Sequence, residues 1–303
     1  MTPRVDLADL GRRLDLRQRP RSWGGDCPAC SYHGAFSMKP GKHGGVRAYC
    51  ANGCTPDTLD DALTRALGTG WKPPARLPDA DVAGQRAAKQ AAAAQLFRGS
   101  TPTHPSDPSG LYLTRRGLGA FIGCPALRYR GDCCHTDGGR HPAMVAEVLD
   151  ADGRPIAIHR TYLDRSGRKA SLDPVKMTLG PMWGGAVRLT DDPDPPPALI
   201  VGEGIESSAS AGLLLDLPAW PALSAGNLGG GLVLPDAVRD VTIAADADPV
   251  GMREAQRAAR RWRAEGRTVR IIAPGISGQD FNDVLQQDHA PGAAVGGDHD
   301  CNR

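Results

Sequence analysis

From residue 198 onward the chain alternates short apolar runs with helical stretches. ALIVG, AWPALSA, VTIAAD and TVRIIA read as strands, while ESSASAGLLLD and MREAQRAARRWRAEG between them read as helices. Such alternation predicts a parallel sheet flanked by helices. Acids punctuate the strand ends and Gly turns: Glu203 in ALIVGEGIESS, Asp246 and Asp248 in VTIAADADPVG, and Asp280 in GQDFNDVL. In an α/β fold these are the points where strands give way to loops and ligands bind. Asp246 and Asp248 are two residues apart, so on an extended strand end both point the same way and can reach one ion. Carboxylates gathered there repel one another unless a cation neutralises them. A hard divalent cation such as Mg²⁺ takes oxygen ligands, keeps several waters and reaches out to phosphates. The pattern therefore predicts a metal site suited to phosphoryl-transfer chemistry.

At 303 residues the chain has room for two or three domains, and 40% hydrophobic with 23% charged residues is a globular composition. Aromatics are only 5%, so the cores must rest on Ala, Val, Leu and Ile. No apolar run approaches a membrane span, and MTPRVDLADLGRRLDL has no secretory apolar core, so a cytoplasmic protein with no membrane partner is expected. The net charge of +2 is nearly neutral but unevenly spread. Arg12/Arg13, the arginines of 17–21, Arg115/Arg116 and those of 257–263 form basic clusters that permit nucleic-acid binding on one face.

The expected organisation is an N-terminal unit at 1–70, a linking segment with an Ala-rich helix at 71–105, a mixed α+β unit at 106–190, the α/β unit at 198–288 and a disordered tail at 289–303. Segment 22–54 reads as too irregular for a packed core of its own. TPDTLDDALTRAL predicts a helix over 55–67 with Thr55 as N-cap and Pro56 at its first position. PAMVAEVLDADGRPIAIHRTYLD predicts a hairpin turning at Asp152-Gly153. Cys27-Pro-Ala-Cys30 and Cys50-Ala-Asn-Gly-Cys54 are two close cysteine pairs a hairpin's length apart, the spacing of a zinc ribbon. His33 and His43 are alternative ligands. Cys124, Cys133, Cys134 and Cys301 lack any such spacing.

The ordered series Gly-Glu-Gly-x-Glu, Asp-x-Asp, Asp-x-Asn-Asp resembles the Toprim domain, the catalytic fold shared by bacterial-type primases, type IA and II topoisomerases and some nucleases. GEGIESSAS is similar to its first motif and DADPVGMREA to its second. The resemblance implies that Glu203 is the acid of the first motif, Asp246 and Asp248 are ligands to Mg²⁺ or Mn²⁺, and Asp280 is the third acidic position. Glu206 resembles a second acid found in phage and plasmid relatives. The cysteine segment resembles the N-terminal zinc domain of bacterial and phage primases, with Cys30 where that family often has His. LYLTRRGL, the hairpin and KMTLGPMWGGAVRL resemble the basic subdomain preceding Toprim in plasmid- and phage-type primases. That likeness places Arg116, His159, Arg160 and Lys176 along the nucleotide and template groove.

Taken together, the resemblance implies a primase of a phage, plasmid or mobile element. It would join nucleoside triphosphates on a single-stranded DNA template beside a separate replicative helicase, with structural Zn²⁺. The alternatives are a Toprim metal-dependent nuclease and a non-catalytic DNA-binding replication accessory protein. No GxxxxGK[ST] motif is present, so no integral helicase motor is expected. A topoisomerase's gate domain would not fit in this length.

Overall fold

The computed structural model describes residues 6–19, 22–29, 36–41, 46–50, 54, 56–68, 79–190 and 194–288. Cys30, His33, His43, Thr55, Cys301 and the predicted tail lie outside the described residues. Among the described residues, no helix is long and apolar enough to cross a membrane.

The N-terminal unit starts with α1 (Leu7–Arg13), capped by the Asp6 carboxylate on the Ala8 N–H. An antiparallel sheet follows in the order β1 (Arg17–Arg19), β2 (Ser22–Gly25), β3 (Phe36–Pro40) and β4 (Val46–Cys50). α2 (Pro56–Leu67) closes it. Segment 22–54 has no core of its own, as expected, but shares one with the helices on either side. Phe36 and Met38 are fully buried, and the apolar faces of the flanking helices supply Leu10, Leu59, Leu63 and Leu67. The strands alone are too short to bury themselves, so the helices complete the layer.

α3 (Asp79–Arg98) is the Ala-rich helix. It is followed by β5 (Thr101–Pro102), α4 (Pro108–Arg115), β6 (Leu127–Cys134), β7 (Arg140–Leu149), β8 (Pro155–Tyr162) and β9 (Lys176–Leu179). The strands make one antiparallel sheet in sequence order. The β7–β8 turn falls at Asp152-Gly153 as predicted, with Gly153 at φ 78°, a conformation that favours glycine. Ala93 and Phe97 of α3 pack on Val145 and Ile158, so the helix read as part of a linking segment covers one face of this sheet.

The C-terminal unit runs β10 (Ala198–Gly202), α5 (Ile205–Leu215), β11 (Ala219–Pro221), β12 (Asp240–Ala244), α6 (Pro249–Ala264), β13 (Thr268–Ile272) and α7 (Phe281–Asp288). All four strands are parallel, in the order β11-β10-β12-β13. α6 turns Ala255, Ala258, Ala259 and Trp262 inward against Leu199, Val201 and Ile243 and its arginines outward. The chain leaves β10 toward β11 on one side and returns to β12 on the other, so a crevice opens beyond the carboxyl ends of these two strands.

The last two units share a core. Tyr112, Leu113, Leu127, Met144 and Ala146 bury against Ile205, Ala209 and Leu285 of α5 and α7. Residues 186–189 stitch the sheets together: Ala186 bridges Leu149, and the Val187 and Leu189 N–H groups donate to Pro221 and Ala219.

Candidate active site

The predicted acids meet at the crevice, and each is placed by a different device. Glu203 follows the last residue of β10. The turn there is tight because Gly202 lacks a side chain: a Cβ at this position would lie 2.5 Å from Ser208 Oγ and 3.0 Å from the Ala244 carbonyl. Asp246 follows β12 and accepts a hydrogen bond from Ser207 Oγ at 3.1 Å. Ser207 Oγ in turn accepts the Phe281 N–H at 3.3 Å, so a single hydroxyl ties the first, second and third acidic motifs together.

Asp248 and Asp280 are held by helix capping rather than by strand alternation. Asp248 Oδ1 accepts from the N–H groups of Val250 and Gly251, with Pro249 at the first position of α6. Asp280 Oδ1 accepts from the N–H groups of Asn282 and Asp283 at the start of α7. Each cap orients its carboxylate and leaves the second oxygen outside these bonds. The reading that Asp246 and Asp248 point the same way along a strand is therefore corrected: β12 ends at Ala244, and a turn and a cap orient the pair.

The acids sense one another. Burial, then the neighbouring Asp246 and Asp248, push the Glu203 carboxyl up to about 7. Burial also raises Asp246, with Asp280 and Asp248 adding to it and the Ser207 hydrogen bond opposing. Carboxylates that destabilise one another's ionised form are a donor set suited to a hard divalent cation. Among the described residues, no three of them bring their oxygens within 4.8 Å of one another. Such spacing fits Mg²⁺, which is held through one or two carboxylates and retains water.

Near the acids stands a cationic edge, with Lys176 close enough to act against the rise of the Glu203 and Asp246 carboxyls. Glu206, in the first turn of α5, is buried, and its carboxylate takes Lys176 Nζ at 3.1 Å, Lys169 Nζ at 3.7 Å and the Tyr112 hydroxyl. Burial alone would raise this carboxyl. Lys176 and Lys169 together with the Tyr112 hydrogen bond outweigh it and hold Glu206 below the usual range. Burial and the Glu206 charge push the Tyr112 phenol up, so it remains a donor. Arg116 ends α4 and donates to Asn282 Oδ1 at 3.1 Å, while Asn282 Nδ2 returns a bond to the Arg116 carbonyl at 2.7 Å.

The strand register sorts the remaining candidates. Lys176 pairs with Thr161 and Thr178 with His159, so Lys176 and His159 share a sheet face. His159 is buried beside Thr178, and burial followed by the Lys176 charge lowers its imidazole to about 4, leaving it neutral. Arg160, expected in the same groove, lies on the opposite face. It donates to the Cys134 carbonyl and the Tyr162 hydroxyl at 3.1 and 3.2 Å, away from the acids. Lys169, Tyr112, Ser207 and Asn282 escaped the sequence reading. Ser207 and Asn282 had a faint signal, as polar residues on helix turns that the motifs bury. Lys169 sits in a loop and had none.

The zinc candidates converge in part. Cys27, Cys50 and Cys54 bring their sulfurs within 4.8 Å of one another, and Cys27 and Cys54 are 3.9 Å apart. Thiolates on tetrahedral zinc, at about 2.3 Å each, stand about 3.8 Å from one another. The three residues fit that ion as soft donors.

Comparison with known proteins follows this division of the chain. Residues 198–290 match the family profile of the Toprim domain, and residues 87–189 match a domain of unknown function, DUF7146. The C-terminal unit is a Toprim domain: a four-stranded parallel sheet flanked by helices, with the motif acids at its carboxyl edge. No curated protein sequence matches the chain. Among solved structures, the chain is similar to a DnaG primase catalytic domain bound to ssDNA (TM-score 0.49, 18% identity, 68% of this chain and 79% of that one). It is also similar to the zinc-binding and RNA polymerase domains of the Aquifex aeolicus primase (0.46, 13%, 93% and 82%). A third is the primase fragment of the bacteriophage T7 primase-helicase (0.39, 15%, 88% and 95%).

Two outcomes follow. An acid whose folded value is raised binds protons more tightly in the fold, so its contribution to stability is lost as pH rises. Without divalent metal, stability should fall between about pH 4.5 and 7, by roughly 1–3 kcal/mol through Glu203. Denaturant titrations across that range should show the slope, and Glu203→Gln should flatten it. In Glu206→Gln the lysines lose their anion while the side-chain shape is kept. Both lysine side chains are about one-third exposed (34% and 36%), which limits the loss to about 1–2 kcal/mol. Unchanged denaturation midpoints would show that this ion pair adds nothing net.

Proposed function

We propose that the protein is a DNA primase that joins nucleoside triphosphates into short RNA primers on single-stranded DNA. The observation that carries this reading is the pairing, at the Toprim crevice, of mutually repelling acids with Lys176, which buried Glu206 anchors together with Lys169. Acids alone suit any metal-dependent phosphodiester chemistry. A fixed cationic edge beside them adds a seat for the polyanionic tail of a nucleotide.

One or two of Asp246, Asp248 and Glu203 would hold Mg²⁺ or Mn²⁺ directly and the others through retained water, with Asp280 at the rim. When bound, the metal lowers the pKa of an attacking hydroxyl and stabilises charge on the leaving pyrophosphate. The remaining work falls to side chains. Lys176 and Lys169 orient the triphosphate, and Glu206 with Tyr112 keeps both ammonium groups in register. Ser207 fixes the rotamer of Asp246. Above about pH 7 Glu203 would be ionised, and its carboxylate could then accept a proton. Arg116, braced by Asn282, would contact template phosphates, whereas Arg160 is turned to the opposite face of its sheet.

The cysteine cluster would carry structural zinc, with Cys30 as the natural fourth ligand by spacing, and would grip template. The same reading makes the protein a cytoplasmic partner of a separate replicative helicase in phage, plasmid or mobile-element replication.

Incubation with single-stranded DNA, Mg²⁺ or Mn²⁺ and labelled ribonucleotides should yield primers. Shortened template would indicate a nuclease, and binding alone an accessory protein. Asp246→Asn should cut primer synthesis by more than tenfold with template binding intact. Lys176→Ala should raise the nucleotide concentration needed more than it weakens DNA binding. Wild-type primer yield from Lys176→Ala at limiting nucleotide would contradict the role given to this edge.

A further inference from the structure

A second group of metal-ligating side chains lies on the far face of the basic unit, at the β6–β7 turn. His135 is buried, with its side chain 1% exposed, while Asp137 and His141 are half-exposed. One donor atom from each lies within 4.8 Å of the others. His135 Nδ1 stands 3.1 Å from Asp137 Oδ1, and His141 Nε2 stands 2.8 Å from Asp137 Oδ2.

The hydrogen bonding of His135 is what makes the group unusual. Its Nε2 lies 3.0 Å from the Pro174 carbonyl, which can only accept, so Nε2 carries the hydrogen. In the neutral ring Nδ1 then presents a lone pair. That lone pair accepts the Asp137 N–H at 3.1 Å, a bond that metal at Nδ1 would replace, and the Asp137 Oδ1 oxygen lies at the same distance. The Gly139 N–H donates to Asp137 Oδ1 at 2.7 Å and so helps hold this carboxylate in the turn.

We propose that His135, Asp137 and His141 form a second metal site, for a zinc-class divalent cation bound through two imidazole nitrogens and a carboxylate. Nitrogen and oxygen donors at about 2.0–2.1 Å from tetrahedral zinc are about 3.3 Å apart, and the three donor atoms here lie within 4.8 Å of one another. Three protein ligands leave a fourth position to water or a ligand oxygen. His141 also lines a cleft of about 850 Å³ bordered by Arg140, Asp164 and Arg165. Imidazole and carboxylate donors favour zinc over Mg²⁺, which separates this site from the Toprim crevice. Bound metal would tie the turn to the 163–174 loop through His135 and Pro174.

The test uses the full-length protein equilibrated with micromolar zinc, read by elemental analysis and by cobalt substitution. Wild type should hold one more zinc equivalent than His141→Ala or Asp137→Asn, whose substituted side chains are partly exposed. Residual affinity for that equivalent should fall by more than tenfold. In the cobalt-substituted protein, the thiolate charge-transfer band of the cysteine cluster should persist in both variants. That band shows the N-terminal unit intact, while the weaker visible bands of nitrogen–oxygen coordination should be lost. A Cys50→Ser variant should show the converse. Equal zinc in wild type, His141→Ala and Asp137→Asn would overturn the proposal. So would a His135 ring that nuclear magnetic resonance shows doubly protonated at saturating zinc, because a proton would then occupy the place assigned to the metal.

Discussion

The arrangement at the crevice depends on one buried carboxylate. Glu206 belongs to the Toprim helix α5, yet all three of its side-chain partners, Tyr112, Lys169 and Lys176, come from the preceding unit. An unpaired buried carboxylate is costly, so the helix is stable in this position only when the basic unit is docked. The same contact that joins the two units also holds Lys176 within electrostatic reach of Glu203 and Asp246. Docking and site assembly are therefore a single event.

The acids show a complementary economy. Asp248 and Asp280 begin helices, and capping gives their orientation at no cost to the site. Ser207 couples Asp246 to the start of α7. The motif residues thus stabilise the fold with some of their oxygens while the rest face the crevice. Mutual repulsion is the residual strain, visible in the raised Glu203 and Asp246, and a cation is its physical complement.

Much of this was legible in the sequence because it is local. Strand–helix alternation gave the parallel sheet, the acids marked strand ends, and Asp152-Gly153 marked the hairpin turn. What stayed hidden depends on which faces are covered. Almost every residue of β8 is buried, because α3 lies on one side of the sheet and the Toprim domain shares a core with the other unit. Alternation is then silent about direction, and Arg160 could not be told from His159. The core around Phe36 and Met38 is likewise not legible from 22–54 alone, because helices on either side of the segment complete it. Lys169 reaches Glu206 from a loop, and no periodicity points to it.

The central claim is that the acids and the lysine edge form one centre for metal and triphosphate together. It is tested most directly by Mn²⁺ titration, followed by electron paramagnetic resonance, with and without a nucleoside triphosphate. The account predicts tighter Mn²⁺ binding when nucleotide is present. That enhancement should disappear in Lys176→Ala, and binding itself should be lost in Asp246→Asn. Mn²⁺ affinity that ignores nucleotide in the wild type, or an enhancement that survives Lys176→Ala, would contradict it.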